Sequence, residues 1–269
     1  MCFRASEARR HDGILDDPVA IQLVDTIDRD LTPWKQSTRQ DLALRALAYD
    51  NATRQYLSAH PEATVVALGE GLQTSFWRLD SAGVGHEFRW LSVDLPPIIA
   101  LREQLLPYSP RISLSAQSAL DYTWLDQVDP EKGVFITAEG LLPYLQPEEA
   151  IALMGECARR FPGGQMMFDL PAKIYATLTN HNIRTTPGGG WPPLPFSLSR
   201  RELAELPRVV PRVRAVHDLP LPRGRGRLFG EVLQTAQWPP LYNALRWAIG
   251  IKWPTIAKLA LLEFDGTVS

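Results

Sequence analysis

The sequence contains very little cysteine and no long apolar run. Only Cys2 and Cys157 occur among its 269 residues, so neither a disulfide framework nor a thiolate metal site is indicated, and a reducing compartment is expected. No apolar run approaches the roughly 18 residues that a membrane span requires. The charged segment 1–17 lacks the apolar centre of a secretory signal. These absences predict a cytoplasmic protein that has no membrane partner and no metal.

The sequence also lacks an excess of charge of either sign. Its formal net charge of −2 provides no general attraction to nucleic acid, so a nucleic-acid partner is not expected. Basic residues cluster between Pro207 and Phe229, where a solvated, turn-rich face is favoured over an anion site. The hydrophobic fraction of 45% is sufficient for one large α/β domain. The sequence does not indicate an oligomeric state.

Short apolar runs alternate with helical patterns through the middle of the chain, after a helical stretch over residues 14–60. Strands are predicted at Thr64–Leu68, Arg89–Val93, Arg111–Ser115, Val134–Ala138, Gln165–Asp169, Arg212–Val216 and Lys258–Phe264. Helices are predicted at Gln73–Asp80, Pro97–Leu106, Tyr122–Val128, Pro147–Phe161 and near Pro239–Gly250. This alternation predicts an α/β fold with a mostly parallel sheet, whose ligands gather at the carboxyl ends of the strands.

A proline-rich and glycine-rich segment, Thr185 to Pro222, interrupts this pattern and is interpreted as a lid. Within it, Ser197–Leu206 is predicted to contain a short helix with Ser199 as N-cap and Glu202 three residues later. One domain, 1–269, is therefore expected. Its parts are a helical cap at 1–60, a core at 61–170, a lid at 171–230 and a closing helix and strand at 231–269.

Two glycines and a later aspartate carry the strongest functional signal. Gly69 and Gly71 end the first predicted strand, where glycine lets backbone approach a ligand closely, and Asp94 ends the second, where a carboxylate can accept hydrogen bonds from ribose hydroxyls. A nicotinamide dinucleotide site would prefer a third glycine at the position of Thr74. S-adenosylmethionine has one ribose, no phosphate and an amino-acid end, and it fits this pattern better.

Four segments together resemble the leucine carboxyl methyltransferase and tetracenomycin-type polyketide O-methyltransferase family. They are LGEGLQTSFWRLD, VDLPPII, SALDYTWLD and AEGLLPYL, within roughly residues 40–170. The resemblance implies a Rossmann-like class I methyltransferase fold, with a mostly parallel seven-stranded sheet and helices on both faces. It also implies S-adenosylmethionine as cofactor, S-adenosylhomocysteine as product, and O-methylation of a small-molecule acceptor such as a polyketide-like compound or a carboxylate.

The resemblance also implies the residues that bind the cofactor. By position these are Arg45 at the methionine carboxylate, Gly69 and Gly71 along methionine and ribose, Asp94 at the ribose hydroxyls, Ser118 and Ala119 near adenine, and Glu139 on the ammonium side. Asp121 could serve adenine or could cap the following helix, and both interpretations stay open. The chain departs from the family pattern at Glu70, Gln73 and Ser75, near the place where cofactor and substrate would meet.

The proposed reaction is an in-line displacement at the methyl group by an oxygen nucleophile. A carboxylate acceptor needs no base, whereas a hydroxyl would benefit from one. The candidate bases are His181, His217, Tyr144 and Tyr175. Aromatic and sulfur-containing side chains could form an apolar wall for a flat acceptor, although core packing explains the two methionines equally well. These side chains are Trp191, Phe196, Met166 and Met167.

Three other functions stay open at this point. A protein C-terminal carboxyl methyltransferase would require a partner surface, which the basic region Arg208 to Arg227 could supply. A non-catalytic binding or scaffold protein would keep the fold without turnover, as the departures at Gln73, Ser75 and Ser118 could indicate. A nicotinamide oxidoreductase is disfavoured by Thr74.

Overall fold

The computed structural model describes residues 1–27, 40–171, 173–180, 192–222, 224 and 258–266. The described helices are α1 Cys2–Ala8, α2 Pro18–Thr26, α3 Gln40–Ala59, α4 Ser75–Ser81, α5 Pro96–Leu105, α6 Pro147–Arg160, α7 Lys173–Asn180, α8 Arg200–Ala204 and α9 Leu206–Val209. The strands are β1 Thr64–Leu68, β2 Arg89–Asp94, β3 Ile112–Ala116, β4 Val134–Ala138, β5 Gln165–Leu170, β6 Val213–Leu219 and β7 Lys258–Phe264. Short 3₁₀ helices span Tyr122–Gln127, Pro130–Lys132 and Leu142–Tyr144.

The seven strands form one sheet in the order β3-β2-β1-β4-β5-β7-β6. Strands β1 to β5 pair in parallel, and β7 runs antiparallel to both β5 and β6. The order in which strands are added to the sheet reverses at β1, because β2 and β3 lie on one side of it and β4 and β5 on the other. Such a point is where open α/β sheets bind ligands.

Two hydrophobic clusters cover opposite faces of the sheet because successive side chains of a strand point in opposite directions. Val66 and Leu68 of β1 pack in the cluster that contains α6, while Val65 and Ala67 pack in the cluster that contains part of α3. Helix α6 begins at Pro147 with a capping box between Gln146 and Glu149. Helices therefore cover both faces of the sheet, as expected.

Most predicted elements are confirmed. Strands β1, β4 and β7 occupy the predicted residues, and α8 has the predicted capping box, in which the Ser199 hydroxyl accepts a hydrogen bond from the Glu202 backbone N–H at 3.2 Å. Strand β6 extends to Leu219, three residues further than predicted. The helix predicted near 239–250 lies outside the described residues. Among the helices that are described, none is both long and apolar enough to cross a membrane.

Helix α1 is not predicted by the sequence pattern, because 2–8 is short and carries no regular apolar stripe. A buried ion pair attaches this helix to the start of α2, because Arg4 Nε lies 3.4 Å from Asp17 Oδ2. Asp17 is the N-cap of α2 and accepts a hydrogen bond from the Ala20 backbone N–H at 3.0 Å. A sequence pattern cannot show this long-range partner.

Candidate functional site

The carboxyl ends of four neighbouring strands bring several of the predicted residues, and one further carboxylate, to one edge of the sheet. The glycine turn Gly69–Thr74 follows β1, and Asp94 is the last residue of β2. Glu139 directly follows β4, and Asp169 lies one residue before the end of β5. Because these strands are parallel neighbours in the order β2-β1-β4-β5, their polar residues line a continuous edge.

Both glycines of the turn adopt the left-handed conformation, with φ of 59° at Gly69 and at Gly71. A Cβ atom on Gly69 would lie 3.0 Å from Leu141 Cδ1, so the chains are closely packed there. A Cβ atom on Gly71 would meet no atom within 4 Å. Gly71 therefore borders open space, which is where a ligand could approach the backbone.

Asp94 and the glycine turn form one hydrogen-bonded unit. Asp94 Oδ2 accepts a hydrogen bond from the Gly71 backbone N–H at 2.7 Å, and Oδ1 accepts one from the Leu95 backbone N–H at 2.7 Å. Each oxygen keeps lone pairs for a further donor. The neighbouring Leu95 side chain is 54% exposed, so an apolar surface lies beside the carboxylate.

Arg45 on α3 connects two carboxylates at the strand ends. Its Nε lies 3.0 Å and its Nη2 2.9 Å from Glu139 Oε1, and its Nη1 donates to Asp169 Oδ2 at 2.9 Å. Asp169 Oδ1 also accepts from the Gly140 backbone N–H at 2.6 Å and from the Tyr49 hydroxyl at 3.1 Å. Hereafter Arg45, Glu139 and Asp169 are called the charged triad.

Electrostatics favour the charged forms of Glu139 and Arg45. Burial alone would raise the pKa of Glu139, but the nearby guanidinium of Arg45 and those of Arg4 and Arg78 outweigh it, and the pKa is lowered. Burial would lower the pKa of Arg45, but Asp169 and Glu139 raise it. Two carboxylates against one guanidinium leave one net negative charge, so the triad suits a ligand group that carries both charges.

The segment after β3 stabilises its own turn. The Ser118 hydroxyl accepts a hydrogen bond from the Leu120 backbone N–H at 3.2 Å, and the Ala119 carbonyl accepts one from Trp124 Nε1 at 3.0 Å. Asp121 accepts a hydrogen bond from the Thr123 backbone N–H at 3.3 Å and is the N-cap of the 3₁₀ helix Tyr122–Gln127. Of the two interpretations of Asp121, the structure shows the cap.

Of the candidate bases whose side chains are described, His217 lies away from this edge and Tyr144 lies just after β4. His217 lies on β6, where its Nε2 is 3.1 Å from Glu263 Oε1 on β7, and two strands separate β6 from β4. Tyr144 ends the 3₁₀ helix that follows β4, and its side chain is 42% exposed. Tyr175 lies on α7, but its side chain is outside the described part of the chain, as is the whole of His181.

The expected apolar wall for an acceptor needs correction. Met166 and Met167 are fully buried in the two opposite hydrophobic clusters, because they are consecutive residues of a strand. Phe196 is 2% exposed and packs in the same cluster as α6. Met166, Met167 and Phe196 are therefore core residues, not a surface for a substrate. Trp191 lies outside the described residues.

A buried ion network beside the glycine turn is not apparent from the sequence. Arg78 on α4 donates to Asp50 on α3 through Nε at 2.7 Å and Nη2 at 2.8 Å, and its Nη1 donates to Asp17 at 2.8 Å. The Thr74 hydroxyl also donates to Asp17 Oδ2 at 2.6 Å. This network fastens the end of the turn to α2 and α3. No local spacing links residues so distant in sequence.

Asp169 is a further candidate site residue that is absent from the sequence-based prediction, although a signal for it exists. It is a polar residue near the carboxyl end of a strand that is otherwise buried, which is the pattern that indicates Asp94 and Glu139. Glu70, one of the departures from the family pattern, points into the protein and is 6% exposed. In the described ranges no group of three or more His, Cys, Asp or Glu side chains could hold a metal ion.

Comparisons with known proteins agree with this architecture. The leucine carboxyl methyltransferase family profile matches residues 1–158. The tetracenomycin polyketide synthesis O-methyltransferase TcmP of Streptomyces glaucescens is 31% identical over 168 residues, which are 62% of this chain and 61% of TcmP. The S-adenosyl-L-methionine-dependent methyltransferase dpfgK of Gibberella zeae is 27% identical over an alignment of length 266, and the match covers 87% of this chain and 86% of that protein.

A solved structure shows the same fold. The plantazolicin methyltransferase BamL, in complex with a triazolic desmethylPZN analog and SAH, superposes with a TM-score of 0.54 at 14% identity, and 98% of each chain is covered. The match to TcmP spans 61% of that relative, which is less than two thirds of its length. The family match includes the glycine turn, Asp94 and Glu139. The chain therefore belongs to the leucine carboxyl methyltransferase family.

Proposed function

We propose that this chain binds S-adenosylmethionine and catalyses transfer of its methyl group to an oxygen atom of a small molecule. One observation carries the proposal. The charged triad and the hydrogen-bonded pair of Gly71 and Asp94 lie along one sheet edge, next to a glycine that borders open space. This set of groups matches a ligand that has an amino-acid end and a ribose.

The amino-acid end fits the charged triad. Arg45 has five N–H donors, and its contacts with Glu139 and Asp169 engage three of them. Within the described part of the chain, two donors are left for a ligand carboxylate. The net negative charge of the triad complements a ligand ammonium group. Arg45 and Glu139 would therefore hold the methionine part, and Asp169 would join them in this role.

The nucleoside fits the opposite end of the edge. Asp94 would accept hydrogen bonds from the ribose hydroxyls, and Gly69 and Gly71 would let the ligand approach the backbone. Leu95 would cover one face of the adenine ring, since its exposed side chain directly follows Asp94. Ser118 and Ala119 would border the adenine from the segment after β3.

The bound cofactor would supply an electrophilic methyl group on a sulfonium. The protein's part is to orient the acceptor oxygen in line with the methyl–sulfur bond and to exclude water. Loss of the methyl group would leave the cofactor as a neutral thioether. A hydroxyl acceptor would benefit from a general base. Among the candidate bases whose side chains the structure describes, Tyr144 lies nearest along the chain to the end of β4 and is the one proposed.

A small-molecule acceptor is the favoured class. The name of TcmP describes a role in tetracenomycin polyketide synthesis, so a polyketide-like acceptor is proposed here by similarity. A carboxylate acceptor and a protein C-terminus remain the alternatives.

The division of the chain into cap, core, lid and closing elements belongs to the same proposal. It is supported by an ion pair between Lys173 on α7 and Glu202 on α8, at 2.8 Å, which connects the start of the lid to its short helix.

Calorimetric titration of the full chain with S-adenosylhomocysteine and, separately, with a nicotinamide dinucleotide tests the cofactor. A ligand at about 100 times its dissociation constant should stabilise the fold by roughly 2.7 kcal/mol, which a thermal melt detects. Binding of the dinucleotide alone would overturn the proposal. Turnover is then assayed with S-adenosylmethionine and phenolic, carboxylic and peptide acceptors. Cofactor binding without turnover on any of them would favour the scaffold alternative.

A further inference from the structure

The carbonyl groups of three consecutive turn residues all face arginine side chains. Arg102 on α5 donates through Nη1 to the Gly71 carbonyl at 2.6 Å and to the Gln73 carbonyl at 3.2 Å. Arg4 on α1 donates through Nη2 to the Leu72 carbonyl at 3.0 Å. The turn is thus held through its oxygen atoms from inside the protein.

Holding these carbonyls also orients the N–H groups of the turn. A trans peptide is planar, so a carbonyl and the N–H of the next residue point in opposite directions. The contact of Arg102 with the Gly71 carbonyl therefore sets the direction of the Leu72 N–H. On the other side of Gly71, its own N–H is bonded to Asp94. Arg102 and Asp94 together fix both peptide planes that flank Gly71.

The guanidinium of Arg102 requires a counter-ion because its side chain is only 1% exposed. Glu70 provides it, with Oε2 at 2.9 Å from Arg102 Nη2, at an angle that makes this a charge contact and not a directed hydrogen bond. The same oxygen accepts hydrogen bonds from the Ser92 hydroxyl and from Trp90 Nε1. The counter-ion therefore comes from the turn itself, between its two glycines.

We propose that Arg102 is a positioning residue for the nucleoside site, and that it acts through the backbone of the glycine turn. Glu70 is the counter-ion that allows its guanidinium to be buried there. This inference rests on the proposed function only for the identity of the ligand. It assigns Glu70, one of the departures from the family pattern within the turn, to the support of the turn and not to contact with a substrate.

The competing explanation is that the pair merely stabilises the fold, and a double variant separates the two. Arg102→Met alone leaves the Glu70 carboxylate buried without its partner, which destabilises a protein strongly. Glu70→Leu combined with Arg102→Met removes both charges and keeps similar volume, so the melting temperature should recover most of what the single variant loses. The carbonyls of Gly71 and Gln73 still have no donor in the double variant.

Affinity for S-adenosylhomocysteine, measured by calorimetry, is the first readout. We expect at least tenfold weaker binding for Arg102→Met and for the double variant, and an intermediate loss for Arg102→Lys, whose single ammonium cannot reproduce the planar guanidinium. Arg111→Met is the control. Arg111 is also partly buried, but it pairs with Asp80 and stacks on Phe76 and Phe88, away from the turn. This variant should bind like the wild type.

Hydrogen–deuterium exchange of the ligand-free proteins is the second readout. Peptides that cover residues 69–74 should exchange faster in Arg102→Met and in the double variant, but not in Arg111→Met. Recovery of both affinity and protection in the double variant would show a purely stabilising role and overturn the inference. Failure of the wild type to bind S-adenosylhomocysteine would instead overturn the proposed function, while the exchange comparison would still test Arg102.

Discussion

Arg45 Nη1 on α3 lies 2.9 Å from Asp169 Oδ2 near the end of β5, and this contact joins two residues that are 124 positions apart in the chain. The same guanidinium contacts Glu139 after β4. The helix before the sheet is thereby tied to two strand ends at the place where the amino-acid end of the ligand is proposed to bind. The Arg45–Asp169 contact therefore both stabilises the fold and belongs to the proposed binding site.

Replacing Arg45 should affect both stability and ligand binding. Arg45→Gln leaves Glu139 and Asp169 close together without the cation that pairs with both, which should reduce the free energy of unfolding by about 3 kcal/mol. Arg45→Lys keeps the charge but loses the fork of donors, so affinity for S-adenosylhomocysteine should fall about tenfold with a smaller loss of stability. Urea denaturation and calorimetry measure the two effects. Arg54→Lys is the control on an exposed position of α3, and equal losses there would contradict the prediction.

Alanine at Gly71 should act mainly on the ligand. Left-handed backbone costs a non-glycine residue roughly 1–2 kcal/mol, but the new methyl group would meet no protein atom within 4 Å. Gly83→Ala is a matched control, since Gly83 has φ of 69° and equally open surroundings after α4. Both variants should lose similar stability in thermal melts. Only Gly71→Ala should weaken S-adenosylhomocysteine binding, by tenfold or more, and equal affinities would place the ligand elsewhere.

Asp94 and Asp121 both accept hydrogen bonds from backbone N–H groups, but replacing them should affect ligand binding differently. Asp94→Asn replaces a charged acceptor of the ribose hydroxyls, and hydrogen bonds to a charged group contribute about 1.5–3 kcal/mol, so affinity should fall about 10–100-fold. Asp121→Asn alters the N-cap of the 3₁₀ helix Tyr122–Gln127 and should cost at most about 1 kcal/mol of stability. Calorimetry should show unchanged affinity for Asp121→Asn. Weakened binding there would assign adenine recognition to Asp121.

The sheet and part of the site are predictable from sequence, because both depend on local patterns. The apolar runs of β1, β4 and β7 are bounded by polar residues or glycine, and a parallel sheet places polar residues that follow its strands at one edge. These two local rules are sufficient to locate Gly69, Asp94 and Glu139 at that edge. Their assignment as cofactor ligands stays a prediction.

The partners of these residues are not predictable in this way, because they depend on contacts across the fold. Arg102 is 31 residues from Gly71, and Arg78 is 61 residues from Asp17. A basic residue on a helix usually faces solvent, and no spacing marks the few that are buried. The burial of Phe196 escapes prediction for a similar reason, since an aromatic residue in a proline-rich segment can cover either a ligand or the core.

The ionisation of Glu139 should make stability depend on pH in a defined window. The charged groups around Glu139 lower its pKa below the ordinary value of 4.5, so its contribution is complete above that pH and is lost as pH falls through the folded-state pKa. The difference in unfolding free energy between the wild type and Glu139→Gln should therefore be constant from about pH 6 to 8 and shrink below about pH 4.5. Urea denaturation across this range measures it. Glu156→Gln, which removes an exposed ion pair with Arg159, is the control and should change stability by less than about 1 kcal/mol throughout. A difference for Glu139→Gln that grew as pH fell would have the opposite sign, and would mean that burial outweighs the arginines around Glu139.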